Sequence, residues 1–269
     1  IPSLMPFFII SDILINYNIT NYIPKRLKNM TKKIFNVSDS VVTIFFLSLI
    51  SGFPSNARNT KTMYELGQIT EKEASHALTF THFSNPLFIL GTVSVFFFKN
   101  EGYGYIILAA HYIANIIIGI TLKHQNIPTE KNYTHQYHKN QNFPNIFIKS
   151  IKNAIDTLLT IFGTLTCFLV LSAIIINALK LNSYNSMILK GILEITMGLK
   201  DLSLLNLNDI YKVTISSMLI SFGGLSVHMQ VLSFLIDTKI SYSPFFISRI
   251  LHAIIAGVLS FIIYLLIYG

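Results

Sequence analysis

The sequence predicts an all-α, polytopic membrane protein of two pseudo-repeats, each containing broken or re-entrant helices. Two observations carry that class. Of 269 residues, 52% are hydrophobic and only 12% are charged, where soluble domains hold about 25% charged residues. In addition, Pro, Gly and small polar residues interrupt apolar runs at Ser51-Gly52-Phe53-Pro54-Ser55-Asn56-Ala57 and at Ser84-Asn85-Pro86-Leu87-Phe88. Irregular backbone at membrane depth is tolerated only where protein buries it or it lines a watery cavity. In transporters such broken helices form the substrate site.

The length allows roughly eight spanning or half-spanning segments at ~20 residues per full span, and leaves no room for a large soluble domain. One cysteine, Cys167, excludes an internal disulfide, and its apolar setting predicts plain packing. The formal charge of +8 sits beside apolar spans, which is the positive-inside pattern and not a nucleic-acid surface. Because the chain opens on Ile1 inside an apolar element, the native protein is expected to extend upstream.

Taken in order, Leu4 to Ile19 is apolar but short, interrupted by Pro6 and Asp12. Lys25, Arg26, Lys28, Lys32 and Lys33 read as a solvated cytoplasmic loop, with an anionic-lipid site as the other reading. Val41 to Phe53 is too short to span and reads as a half helix. Beyond the Pro54-Ser55-Asn56 break, Gly67 is a C-cap signal, and Thr70 with Glu73 has capping-box spacing, placing a helix start near Glu71. That helix breaks at Ser84-Asn85-Pro86, where Pro86 removes a donor and frees a carbonyl. Gly104 to Leu122 is a full span with His111 and Asn115 on one face.

A polar loop over residues 123–149 then divides a first half, 1–122, from a second, 150–269. His135 and His138 in that loop lack further ligands, so no metal is expected. Ala154 to Leu179 is a long span, and Met187 to Gly198 is again short, with Glu194-Ile195-Thr196-Met197-Gly198 at its end. Ile210 to Phe222 leads to Gly223-Gly224-Leu225-Ser226-Val227-His228-Met229-Gln230, and Pro244 to Tyr268 is the last span, carrying Arg249 and His252. The order of parts recurs between halves: half helix, break, connector, helix, second break, apolar run, full span with a His. Paired interruptions in corresponding halves point to a transporter binding site.

Several of these stretches resemble the sporulation integral membrane protein YlbJ/SpoVV family: Pro2–Ile10, Ser51–Ala57, Ser84–Phe88, Ala109–Tyr112, Glu194–Gly198, Gly224–Val231 and Arg249–Gly257. The run Gly-Leu-Ser-Val-His-Met-Gln-Val is the most specific of them. Where the family motif has small residues after the first Pro, this chain has the bulkier Ser55-Asn56. The resemblance implies a gate or nucleoside-recognition type domain, shared with concentrative nucleoside transporters, and transport of dipicolinic acid from mother cell to forespore across the outer forespore membrane.

A site for that small aromatic dianion needs N–H donors from half-helix N-termini, polar or cationic groups, and an apolar slot for the ring. The breaks supply Ser55, Asn56, Ser84, Asn85, Thr196, Ser226, His228 and Gln230 as candidates. His228 is the sharpest of them, since it titrates near neutral pH. Glu194 is expected to be protonated, bonded to a freed backbone N–H, or engaged in proton or cation coupling. Arg58 and Arg249 are assigned to loop or interfacial roles, and His111 and His252 to helix packing. No His-Glu-x-x-His helix, Gly-x-Ser-x-Gly elbow or Walker loop is present, so neither an enzyme nor an ATP-driven pump is expected, and no cofactor is implied. The alternatives are a permease for nucleosides or other solutes, and a non-transporting sporulation assembly factor. Assembly into a homo-oligomer stays open.

Overall fold

The computed structural model of the chain describes residues 5–122 and 142–269, and among these it is helical with no strand. His135, His138 and most of the polar loop lie outside the described residues. The first part runs α1 (Met5–Asn16), α2 (Lys25–Phe35), α3 (Asp39–Ser51), α4 (Ser55–Glu65), α5 (Glu71–Phe80), a π-helix (Phe88–Phe98) and α6 (Glu101–Thr121). The second runs α7 (Phe143–Leu179), α8 (Ser183–Leu193), α9 (Ile195–Leu204), α10 (Asp209–Phe222), α11 (Gly224–Leu235) and α12 (Ser243–Tyr268).

Four stretches are long and apolar enough to cross a bilayer: α6, α7, α10 with α11, and α12; α2 with α3 makes a fifth if that sharply bent pair is one span. The lipid-facing members are evident from their surfaces. On α7, Leu159, Phe162 and Ile174 are each about 60% exposed, which suits acyl chains and not water. By contrast, about half of α6 and of the α10–α11 span is buried.

Local chemistry explains most boundaries. Thr70 caps α5 by accepting the Glu73 N–H (3.1 Å) while Glu73 accepts the Thr70 N–H (2.9 Å), so the capping box forms as its spacing predicts. Gly67 follows α4 with φ of +66°. Four corrections also emerge. The basic stretch predicted as a loop is helical, forming α2. The helix placed at Ala154–Leu179 starts at Phe143, so residues 143–149 leave the predicted loop. Cys167 is exposed on α7 rather than packed inside. Finally, the interruption at Gly223 is shallow: α10 and α11 qualify together as one 27-residue span.

From α3 and from α8 onward the element order runs alike, whereas α2 has no counterpart after α7. In each, a short helix meets a second at a break (α3 to α4, α8 to α9). An interrupted helix follows (α5 to the π-helix, α10 to α11), and then a long one (α6, α12). The α8–α9 crossing relies on glycine, since a Cβ at Gly198 would collide with the backbone of Gly191. Lys190 and Asp201 clasp the same pair by an ion pair of 2.6 Å.

Packing divides into three apolar clusters. The largest joins α2 through α5 with α11 and the start of α12, around Phe35, Phe45, Phe80 and Phe83, where the Phe35 and Phe80 rings stack at 4.7 Å. A second binds the π-helix and α6 to α9 and α10 through Ile89, Ile106, Leu199 and Ile220. The smallest, Phe8 with Ala154 and Ile161, holds α1 to α7.

That α1–α7 pair is tied to the rest by a buried ion pair, Asp12 to Arg58 (2.9 Å), with side chains only 3% and 7% exposed. Asn153 also donates to Asp12 (3.1 Å) and Arg58 to the Phe8 carbonyl (3.4 Å). Arg58 thus serves inside the protein and not at a loop. Removing one partner of a buried pair strands the other charge, so Arg58→Ala is expected to cost about 3–5 kcal/mol. In thermal melts of detergent-solubilised protein, Asp12→Ala/Arg58→Ala should lose less than the sum of the single variants.

Candidate functional site

Breaking a helix inside an apolar protein frees carbonyls at one end and N–H groups at the next, and each needs a partner. At the first break, the carbonyls ending α3 are met by side chains: Tyr112 Oη donates to Leu49 O (2.8 Å), and Asn85 Nδ2 to Ile50 O (3.3 Å). The main chains of the two first-half breaks also touch, with the Phe53 N–H donating to Phe83 O (2.8 Å). Gly52, at φ +72°, permits this approach, because a Cβ there would lie 2.6 Å from the Asn85 nitrogen.

At the second break, residues 81–85 leave the helix and the carbonyls at the end of α5 turn toward Arg249. Its guanidinium is fully buried and donates to Thr79 O, to His82 O (3.3 Å) and to Asn115 Oδ1 (3.1 Å). Among the described residues no carboxylate pairs with it. Its charge is instead held by oxygen dipoles at the negative end of α5 and by the Phe245 ring, 5.5 Å away. Arg249 also donates to His252 Nδ1 (2.7 Å), whose Nε2–H reaches His111 O (2.8 Å). In turn His111 Nε2 accepts the freed Ser84 N–H (2.9 Å), which leaves its Nδ1–H for Ser221 Oγ (2.8 Å). Of the predicted packing histidines, His111 therefore does more than pack: it completes the broken backbone.

The second-half breaks follow the same logic. Glu194 caps α9, its two carboxylate oxygens accepting the N–H groups of Thr196 (3.0 Å) and Met197 (2.9 Å). One of the three expectations for this residue, bonding to freed backbone N–H, is thus seen. His228 takes the carbonyl that ends α10, donating Nε2–H to Phe222 O (3.0 Å) while Nδ1 accepts the Tyr242 hydroxyl (2.6 Å).

Around these breaks lies a cavity of about 440 Å³, within the size range of small-molecule sites. Every break contributes to its wall: Phe53 and Pro54 from the first, Ser84 and Asn85 from the second, Glu194 to Thr196 from the third, Val227 and Gln230 just beyond the fourth. Phe7 of α1 and Ile161 and Leu165 of α7 close another side. The polar groups are few and set in an apolar surround. Gln230, 2% exposed, donates to Thr164 (3.1 Å) on α7.

Of the residues singled out from the sequence, Ser84, Asn85, Thr196, Gln230 and Glu194 meet at this cavity. Ser55, Asn56, Ser226 and His228 are buried but stand outside its lining, and both ring nitrogens of His228 are already engaged. Two residues that sequence reasoning did not mark for the site hold the broken backbone beside the cavity, although neither lines it. One is Arg249, assigned to an interface. The other is His82, which stacks on Phe53 at 4.8 Å and bonds Asn56 Oδ1 (3.2 Å). No group of histidine, cysteine and acidic side chains suited to a metal occurs among the described residues.

Helices that cross a bilayer, interrupted where they surround an interior cavity, define a polytopic integral membrane protein. Over 294 aligned positions, 96% of this chain and 72% of the relative, the sequence is 30% identical to the sporulation integral membrane protein YlbJ of Bacillus subtilis (strain 168). The chain belongs to the YlbJ family. No family model matches it, and no solved structure does.

The fork of Arg249 serves several acceptors at once, which a single ammonium cannot reproduce. Arg249→Lys is expected to lower stability by about 1–3 kcal/mol through carbonyls left unpaired, and Arg249→Met by more. Thermal unfolding followed by size-exclusion recovery in detergent checks both.

Proposed function

We propose that this chain is a secondary transporter for a small organic anion, acting in sporulation, with dipicolinate as its substrate. The observation that carries the reading is the meeting of four helix interruptions at one cavity. Pro54 precedes α4, Leu87 precedes the π-helix, Glu194 caps α9, and Val227 lies in the first turn of α11. Helix N-termini present N–H donors and a partial positive charge, which favour an anion. The flat apolar walls, Phe53, Phe88, Ile195 and Val227 among them, suit an aromatic ring. Ser84, Asn85, Thr196 and Gln230 would orient its carboxylates.

Family membership supports the sporulation setting, since the relative is named for it. In this reading the membrane is the outer forespore membrane, and movement runs from mother cell to forespore. The two halves, 1–122 and 150–269, act as gate-type units whose breaks form the site between them. Ser55, Asn56, Ser226 and His228 support the breaks from behind. The same fold class would serve a nucleoside permease, but a neutral ligand gains less from the helix N-termini at Pro54 and Leu87, and an assembly factor has no use for the cavity.

Uptake of labelled dipicolinate into vesicles carrying the full-length protein is expected to exceed that of empty vesicles, and equal uptake in the two would sink the proposal. Thr92→Trp, which fills the cavity from the π-helix, should abolish uptake while leaving membrane insertion and melting intact. Excess uridine should not compete; competition would assign the cavity to nucleosides.

A further inference from the structure

Beyond the cavity and its network, α2 presents three distinct faces along 11 residues. At about 100° per residue, Thr31 and Phe35 point one way, and both are 3% exposed. Phe35 is wedged into the protein between Phe45 and Phe80 and against Gly119 of α6. Roughly a quarter turn around the helix, Leu27, Met30 and Ile34 form a stripe 39%, 52% and 37% exposed. Lys25, Arg26, Asn29 and Lys33 occupy the remaining arc and are exposed. The helix contains no acidic residue.

Orientation explains why an apolar stripe stands open beside a basic one. Helix α2 meets α3 at 98°, so if α3 enters the bilayer, α2 runs along its surface. Lys28 and Lys32 turn back to Asp39, at 3.4 and 2.9 Å, and fix this corner. Just upstream, Tyr17 and Tyr22 are 49% and 78% exposed, as expected of aromatic side chains at the headgroup level. A surface helix with an apolar stripe and a basic arc is built to lie at the boundary of lipid and water.

We infer that α2 is an interfacial helix that binds anionic phospholipid: Leu27, Met30 and Ile34 enter the acyl boundary, and Lys25 and Arg26 hold the headgroups. This does not rest on the transport reading, and its test uses no substrate. In a Cys167→Ser background, a fluorophore is placed at Met30→Cys or Asn29→Cys in the full chain, reconstituted into phosphatidylcholine vesicles with or without phosphatidylglycerol.

The Met30 probe should be quenched by bromolipid, more strongly with phosphatidylglycerol, and the Asn29 probe by aqueous iodide. High salt should remove the phosphatidylglycerol effect. Lys25→Gln/Arg26→Gln should weaken docking roughly fivefold per charge removed, whereas Lys25→Arg/Arg26→Lys should preserve it. Equal access of iodide to both positions would overturn the inference, as would lipid quenching indifferent to phosphatidylglycerol and salt.

Discussion

The constraint on which the rest of this structure depends is the debt left by each broken helix. In an interior without water, an unpaired backbone group costs several kcal/mol, so every interruption needs a side chain of the right polarity nearby. Arg249 meets the heaviest demand. Buried with no carboxylate partner among the described residues, it is held by the carbonyls that Thr79 and His82 offer at the end of α5. Those carbonyls are available only because the helix stops there. Cation and break are mutually necessary, and α12 cannot be separated from α5 without exposing both.

The same division of labour extends through the core. Tyr112 and Asn85 serve α3, His228 serves α10, Glu194 serves α9, and His111 serves the free N–H of Ser84. Three of the polar residues that look like ligand-binding candidates in the sequence, Asn85, Glu194 and His228, are thus committed to the backbone. What remains for a ligand is the space they hold open and the few groups on its wall.

This explains what the sequence made legible and what it did not. Pro54 and Pro86 announce breaks because each removes a backbone donor among small polar residues, and the capping box at Thr70 is equally local. Burial of polar side chains by distant elements is not local. Asp12 meets Arg58, and Arg249 meets Thr79, across separations that periodicity does not report, so both arginines read as interfacial. His82 stands among Phe80 and Phe83 with no spacing to mark it. His228 has the right chemistry for a site, but the carbonyl of Phe222, only six residues back, claims it. For α2, the density of lysine concealed a helix whose order comes from Phe35.

Glu194 carries a consequence for any occupant of the cavity. The first free N–H groups of α9 are already taken by a carboxylate belonging to the protein. A second carboxylate can reach them only by displacing the first, which stays tethered beside it, so this corner favours an anion less than an open helix end would. The protein thus already fills this corner of the cavity for itself.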